Sequence, residues 1–124
     1  MRWIVDAMNV IGTRPDGWWR DRDRAMLRLV DLLERWVAAE GEDVTVVFER
    51  PPRPPIRSTV ITVAHAPKPR ANSADDEIVR LVRADPAPAA IRVVTSDHTL
   101  TTLVHAAGAS VEGSASFRAR IEDD

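Results

Sequence analysis

The chain has 124 residues, 44% hydrophobic and 29% charged, with net charge -2 and no Cys. That length fits one domain over 1–124, with a core large enough to fold without a metal or disulfide staple. Without Cys, a disulfide scaffold, a Cys-ligated zinc site, an iron–sulfur cluster and a cysteine nucleophile are excluded.

The first apolar run, Trp3 to Met8, reads as a buried strand. Asp6 interrupts it, so it does not serve as a signal core, and no run approaches the roughly 18–20 apolar residues of a membrane helix. The expected location is the cytoplasm, with no membrane partner. Arg22 to Ala39 reads as a helix, because Met26, Leu29, Val30, Leu33, Trp36 and Val37 recur at three- and four-residue spacing. Gly41 is its stop signal. Val44 to Phe48 is a β-branched second strand.

The prolines of the stretch Glu49 to Arg57 exclude a helix or a central strand. Thr59 to Ala64 reads as a third strand, ended by Pro67 and Pro69. Ser73 is expected as the N-cap of a helix carrying Ile78, Leu81 and Val82. Pro86 and Pro88 close it. Ile91 to Thr95 is a fourth strand, and Ser96 or Asp97 caps a helix with Leu100, Leu103, Val104 and Ala107 on one face. Gly108 ends that helix. Ala109 to Val111 reads as a short fifth strand, and Ser116 to Glu122 as a final helical turn or two.

Strands alternating with helices predict an α/β domain around a mostly parallel sheet of 4–5 strands. The link from second to third strand is the unusual one. It must cross over in about ten Pro-rich residues, near the lower limit for a parallel connection, as an extended arm over the sheet.

Ligands of an open parallel sheet bind outside the carboxyl ends of its strands, where strand order reverses. Asp6 lies near the end of the first strand and Asp97 just past the fourth. Asp75 and Asp76 open a helix leaving the same edge. Each acid has an ordinary explanation. Asp75 and Asp76 suit a helix dipole, and Asp97 suits a cap. Asp6 is the hardest to explain away, since a lone buried charge costs several kcal/mol. Together, the carboxylates repel and raise one another's pKa. A divalent cation relieves this, and with hard oxygen donors and no Cys the expected ion is Mg²⁺ or Mn²⁺.

Three segments carry a family resemblance: Val5-Asp6-Ala7-Met8-Asn9-Val10-Ile11-Gly12, Ser73-Ala74-Asp75-Asp76-Glu77-Ile78 and Val93-Val94-Thr95-Ser96-Asp97. In this order and spacing the sequence resembles the NYN-domain nucleases of the PIN-like superfamily, of the bacterial YacP type. The resemblance implies a Rossmann-like, three-layer PIN/NYN fold and endoribonuclease activity. It implies Asp6, Asp75 and Asp97 as metal ligands, with Asp76 auxiliary. It implies Asn9 beside the metal, holding Asp6 or a phosphate oxygen, and Ser96 capping the following helix or touching phosphate. One departure is Glu49 after Phe48, where this group often has Asp.

RNA is the expected partner. Arg14 and Arg20 fall in the loop after the first strand, Arg50, Arg53 and Arg57 in the Pro-rich arm, and Lys68 and Arg70 after the third strand. On this architecture all three connections leave from the acidic rim, where positive loops would track a phosphate backbone. Trp18 and Trp19 would either stack unpaired bases or fold back as packing.

The expected function is metal-dependent hydrolysis of RNA phosphodiester bonds. The alternative is an RNA-binding module of the same fold without turnover. A receiver domain is disfavoured, because the third strand has no acid and Lys68 is the only Lys. An Asp-x-Asp phosphatase is disfavoured because Ala7-Met8 follows Asp6. The oligomeric state is open, a homodimer included.

Overall fold

Five strands form the sheet: β1 (Arg2–Asp6), β2 (Asp43–Phe48), β3 (Thr62–His65), β4 (Ile91–Val94) and β5 (Ser110–Glu112). A computed structural model of the chain describes residues 1–68, 70 and 73–122. The strand order is β3-β2-β1-β4-β5, and every neighbouring pair is parallel. Among the described residues five α-helices complete the α/β fold: α1 (Ala7–Ile11), α2 (Arg22–Glu40), α3 (Ser73–Ala84), α4 (His98–Ala106) and α5 (Ser114–Glu122).

Helices on both faces bury the central strands on both sides, so these read as nearly continuous apolar runs. Successive residues nevertheless point to opposite faces. Trp3, Val5, Val44, Val46, Phe48 and Val94 pack with α1, α2 and α5. Ile4, Val47, Ile91 and Val93 pack with α3 and α4. On the first face Trp3, Trp36 and Phe117 form an aromatic cluster with ring centroids 5.3–5.4 Å apart. It fastens α2 and α5 to β1.

The chain runs outward from β1 through β2 to β3, then returns to place β4 on the other side of β1. Strand order therefore reverses between β1 and β4, and the ends of these strands flank the crevice where open α/β sheets bind ligands.

Several element boundaries differ from expectation. The strand predicted to reach Met8 stops at Asp6, and α1 begins at Ala7. A five-residue helix is too short to show a periodic stripe, so in the sequence Met8 reads as part of the strand's apolar run. β3 starts at Thr62 rather than Thr59, because Ser58 Oγ accepts the N–H groups of Val60 and Ile61 in a local turn. Ser73 is the first residue inside α3 rather than its cap. α5 begins two residues early, at Ser114. The predicted break at Pro69 lies outside the described residues, as do positions 123–124 of the expected domain.

The arm between β2 and β3 is extended and held against α2. Asp23 Oδ1 accepts from Arg50 Nη1 and from the Arg53 N–H, each at 2.9 Å, and Ser58 Oγ donates to Glu34 at 2.7 Å. Ile56 and Ile61 add apolar contact. These anchors hold the short parallel crossover without a helix.

Candidate active site

Asp6 is the last residue of β1 and is only 5% exposed. Its backbone is still extended (φ -75°, ψ 93°), and the chain turns at once into α1. The Thr95 hydroxyl, buried just beyond β4, donates to Asp6 Oδ2 at 2.9 Å. Thr95 Oγ1 in turn accepts the Asp97 N–H at 3.1 Å. Asp97 caps α4 through Oδ1, which accepts the Leu100 N–H at 2.8 Å.

Two more acids reach this rim. Asp75 lies in the first turn of α3, and Glu49 follows β2. Burial is the main cause that raises the Asp6 carboxyl, from 3.8 to about 7. The charges of Asp75, Asp97 and Glu49 push the same way, and the Thr95 hydrogen bond opposes them. Asp75 is raised to about 6, again chiefly by burial, with Asp97, Asp76 and Glu49 adding to it. The sheet thus gathers acids from four separate segments at the point where strand order reverses. Among the described residues no three His, Asp or Glu side chains converge tightly enough to form a closed metal-ligand set.

Asp76 lies at the edge of this centre, where its charge still acts on Asp75. It is exposed and pairs with Arg70 at 2.9 Å. One residue beyond Asp75 on a helix is about 100° round the axis, which turns Asp76 away.

The resemblance implies Asn9 holding Asp6 or a phosphate oxygen; among the described residues Asn9 makes no hydrogen bond to Asp6. Its Oδ1 accepts the Ser96 N–H at 2.9 Å and the Ser114 hydroxyl at 2.6 Å. Ser96 does not cap α4 either, since Asp97 fills that position; its Oγ accepts the Ser114 N–H at 2.9 Å. Asn9, Ser96 and Ser114 together tie α1 to the β4–α4 turn and to the start of α5. That fixes the turn bearing Thr95 and Asp97.

Residues 3–124 match the family described as the YacP-like NYN domain. The chain belongs to that family. Two solved structures of Rae1 (YacP) from Bacillus subtilis share its fold. One superposes with a TM-score of 0.83 at 21% identity, covering 99% of this chain and 74% of that one. A mutant form gives 0.78 at 21% identity, covering 99% and 75%. No curated protein sequence matches the chain. Membership of the YacP-like NYN family supports a ribonuclease-type function.

The cationic side chains of this NYN domain divide into engaged and free. Arg14 forms an ion pair with Glu122 of α5, and Arg50 pairs with Asp23. Arg70 pairs with Asp76. Arg20 lies 6.0 Å from the Trp19 ring and Arg22 5.3 Å from the Trp18 ring. Arg53 and Arg57 are exposed, and among the described residues neither guanidinium is hydrogen-bonded or ion-paired. Trp18 packs partly against the core, whereas Trp19 is 52% exposed and meets it edge-to-face. The two expectations for this pair are therefore divided between its members.

Thr95 was not among the residues singled out from the sequence. A hydroxyl between the fourth strand and Asp97 was the available signal, since that position faces the end of β1 once the two strands pair.

Proposed function

We propose that this NYN domain is a metal-dependent endoribonuclease whose centre is built on Asp6, Asp75 and Asp97, with Glu49 joining them. The observation that carries this reading is Asp6, a buried carboxylate crowded by acids from other segments and aligned by Thr95. A burial cost of this kind has an evident use if a cation offsets it.

The donor set fits Mg²⁺ or Mn²⁺, because every donor is a hard oxygen. Such ions bind through one or two carboxylates, with water and substrate phosphates completing the shell. A loose acidic basin therefore suffices, without a closed three-carboxylate set. When bound, the ion supplies a water of lowered pKa and a counter-charge for phosphate. Asp6 and Asp75 are the direct holders. Asp97 keeps Oδ2 for the site, because its Oδ1 is committed to the cap. Thr95 sets the rotamer of Asp6, and Asn9 and Ser96 position the turn that bears Asp97. The exposed Arg53 and Arg57 receive the flanking phosphates of single-stranded RNA.

A second reading is an RNA-binding module without turnover. Glu49, where this group often has Asp, favours it. One assay separates the two. Purified protein is incubated with 5′-labelled single-stranded RNA in Mn²⁺ and in EDTA. The nuclease reading expects internal cuts in Mn²⁺, none in EDTA and none by Asp6→Asn. Cutting by Asp6→Asn at the wild-type rate would rule out this centre, and binding without cutting would establish the module.

A further inference from the structure

Beside the acidic rim lies a cleft of about 240 Å³ lined by Met8, Arg22, Met26, Glu49, Arg50 and Arg70. Met26 is fully buried and Met8 partly so, which gives the cleft an apolar, polarizable floor. Three guanidinium groups and one carboxylate surround it. Glu49 belongs to both places, since it lines the cleft and its charge acts on Asp6 and Asp75. The cleft and the acidic centre are therefore contiguous.

We propose that this cleft takes one unpaired base of single-stranded RNA, next to the phosphate held at the acidic centre. This deepens the nuclease reading and rests on it for the placement of that phosphate.

Size favours a single ring system. The volume lies below the roughly 300–1,000 Å³ typical of pockets for drug-sized ligands, which suits one base better than a stacked pair. Chemistry favours a base over an aliphatic or sugar ligand. Thioether sulfur contacts aromatic faces and edges favourably. Guanidinium planes stack on bases and meet phosphate with the same fork of donors. Glu49 offers an acceptor to the amino group of an exposed base edge. Geometry favours Arg50 as the fixed wall, because Asp23 and the Pro51 carbonyl, at 2.9 and 3.2 Å, hold its guanidinium. Arg22 is steadied by the Trp18 ring, 5.3 Å away. A free acidic peptide would also seek the arginines, but it brings no planar base for the methionine floor and the guanidinium planes to stack on.

The three methionines make this measurable, because Met1 precedes β1 at the end opposite Asp6 and does not line the cleft. The full chain is labelled with ¹³C at the Met methyl groups and titrated with a short single-stranded RNA in EDTA, which prevents metal-dependent cutting. Saturation is followed independently by fluorescence anisotropy. The proposal expects upfield ring-current shifts of the Met8 and Met26 methyls, with Met1 unmoved. It also expects those shifts to vanish when one particular nucleotide, and no other, is made abasic.

Saturation with Met8 and Met26 silent overturns the cleft, even if the RNA is cut in Mn²⁺, and the nuclease reading then stands alone. Shifts that survive every abasic substitution also overturn it. Ring-current shifts tied to one base, with no cutting in Mn²⁺, support the cleft and remove the nuclease reading. No binding at all overturns the cleft.

Discussion

One hydroxyl joins two of the acids: Thr95 donates to Asp6 Oδ2 at 2.9 Å and accepts the Asp97 N–H at 3.1 Å. The contact crosses from β4 to β1 and is buried. It lowers the Asp6 pKa against the upward push of burial and like charge. Thr95→Val keeps the shape and removes the bond. The Asp6 pKa should then rise further, and the acidic limb of the activity profile should move to higher pH. A pH–rate series on both proteins checks this. An unmoved acidic limb would mean that Asp6 does not govern the limb.

Asp6 should also shape stability. Its folded pKa, about 7, lies above the ordinary 3.8, so the folded state holds this proton more tightly than the unfolded chain. The associated stability is fully present below about pH 4 and is lost as pH rises through about 7. Asp75, raised to about 6, adds a weaker trend of the same sign over a narrower window. Asp6→Asn removes the larger share. In EDTA at pH 7.5 it should melt a few degrees above wild type, with the gap closing toward pH 4. Thermal unfolding across this range reads the sign directly. A lower melting temperature at pH 7.5 would contradict the burial argument.

Asn9 is a positioning residue here. Asn9→Ala leaves the Ser96 N–H and the Ser114 hydroxyl without their acceptor. Neither bond is fully buried, so their loss costs about 0.5–1.5 kcal/mol each. The expected result is a lower melting temperature together with a fall in kcat, because the turn bearing Asp97 loosens, while KM for RNA changes little. An increase in KM alone would place Asn9 on the substrate instead.

The arginines should separate by their existing partners. Arg14 is paired with Glu122, so Arg14→Ala should leave RNA affinity within about twofold. Arg57 is exposed, and Arg57→Ala should weaken binding and flatten the dependence of log K on log salt by about 0.7, the value for one contact to a single strand. Binding isotherms at three salt concentrations measure both. Equal slopes for wild type and Arg57→Ala would take the arm off the RNA path.

Much of the fold was legible because a parallel sheet buried on both faces writes itself as short apolar runs between helical stripes. Val44 to Phe48 and the six core residues of α2 are examples, and both formed where their spacing put them. The reversal point next to Asp6 and Asp97 followed from topology. Contacts between segments distant in sequence were not legible. Asn9 and Ser114 are far apart in the chain, and nothing in either neighbourhood announces their hydrogen bond. Helix phase decided Asp75 against Asp76, and a one-residue difference there exceeds what spacing alone resolves. α1 escaped because five residues do not show a period.

The central claim is that acids from separate segments act as one cation-binding centre. It is tested most directly by calorimetric titration of Mn²⁺ into wild type and Asp6→Asn near pH 7, in two buffers of different ionisation enthalpy. Wild type should bind with proton release, because the ion displaces the Asp6 proton, which passes to the buffer. Asp6→Asn should bind at least tenfold more weakly and release fewer protons. Equal affinity and equal proton release in the two proteins would contradict the account.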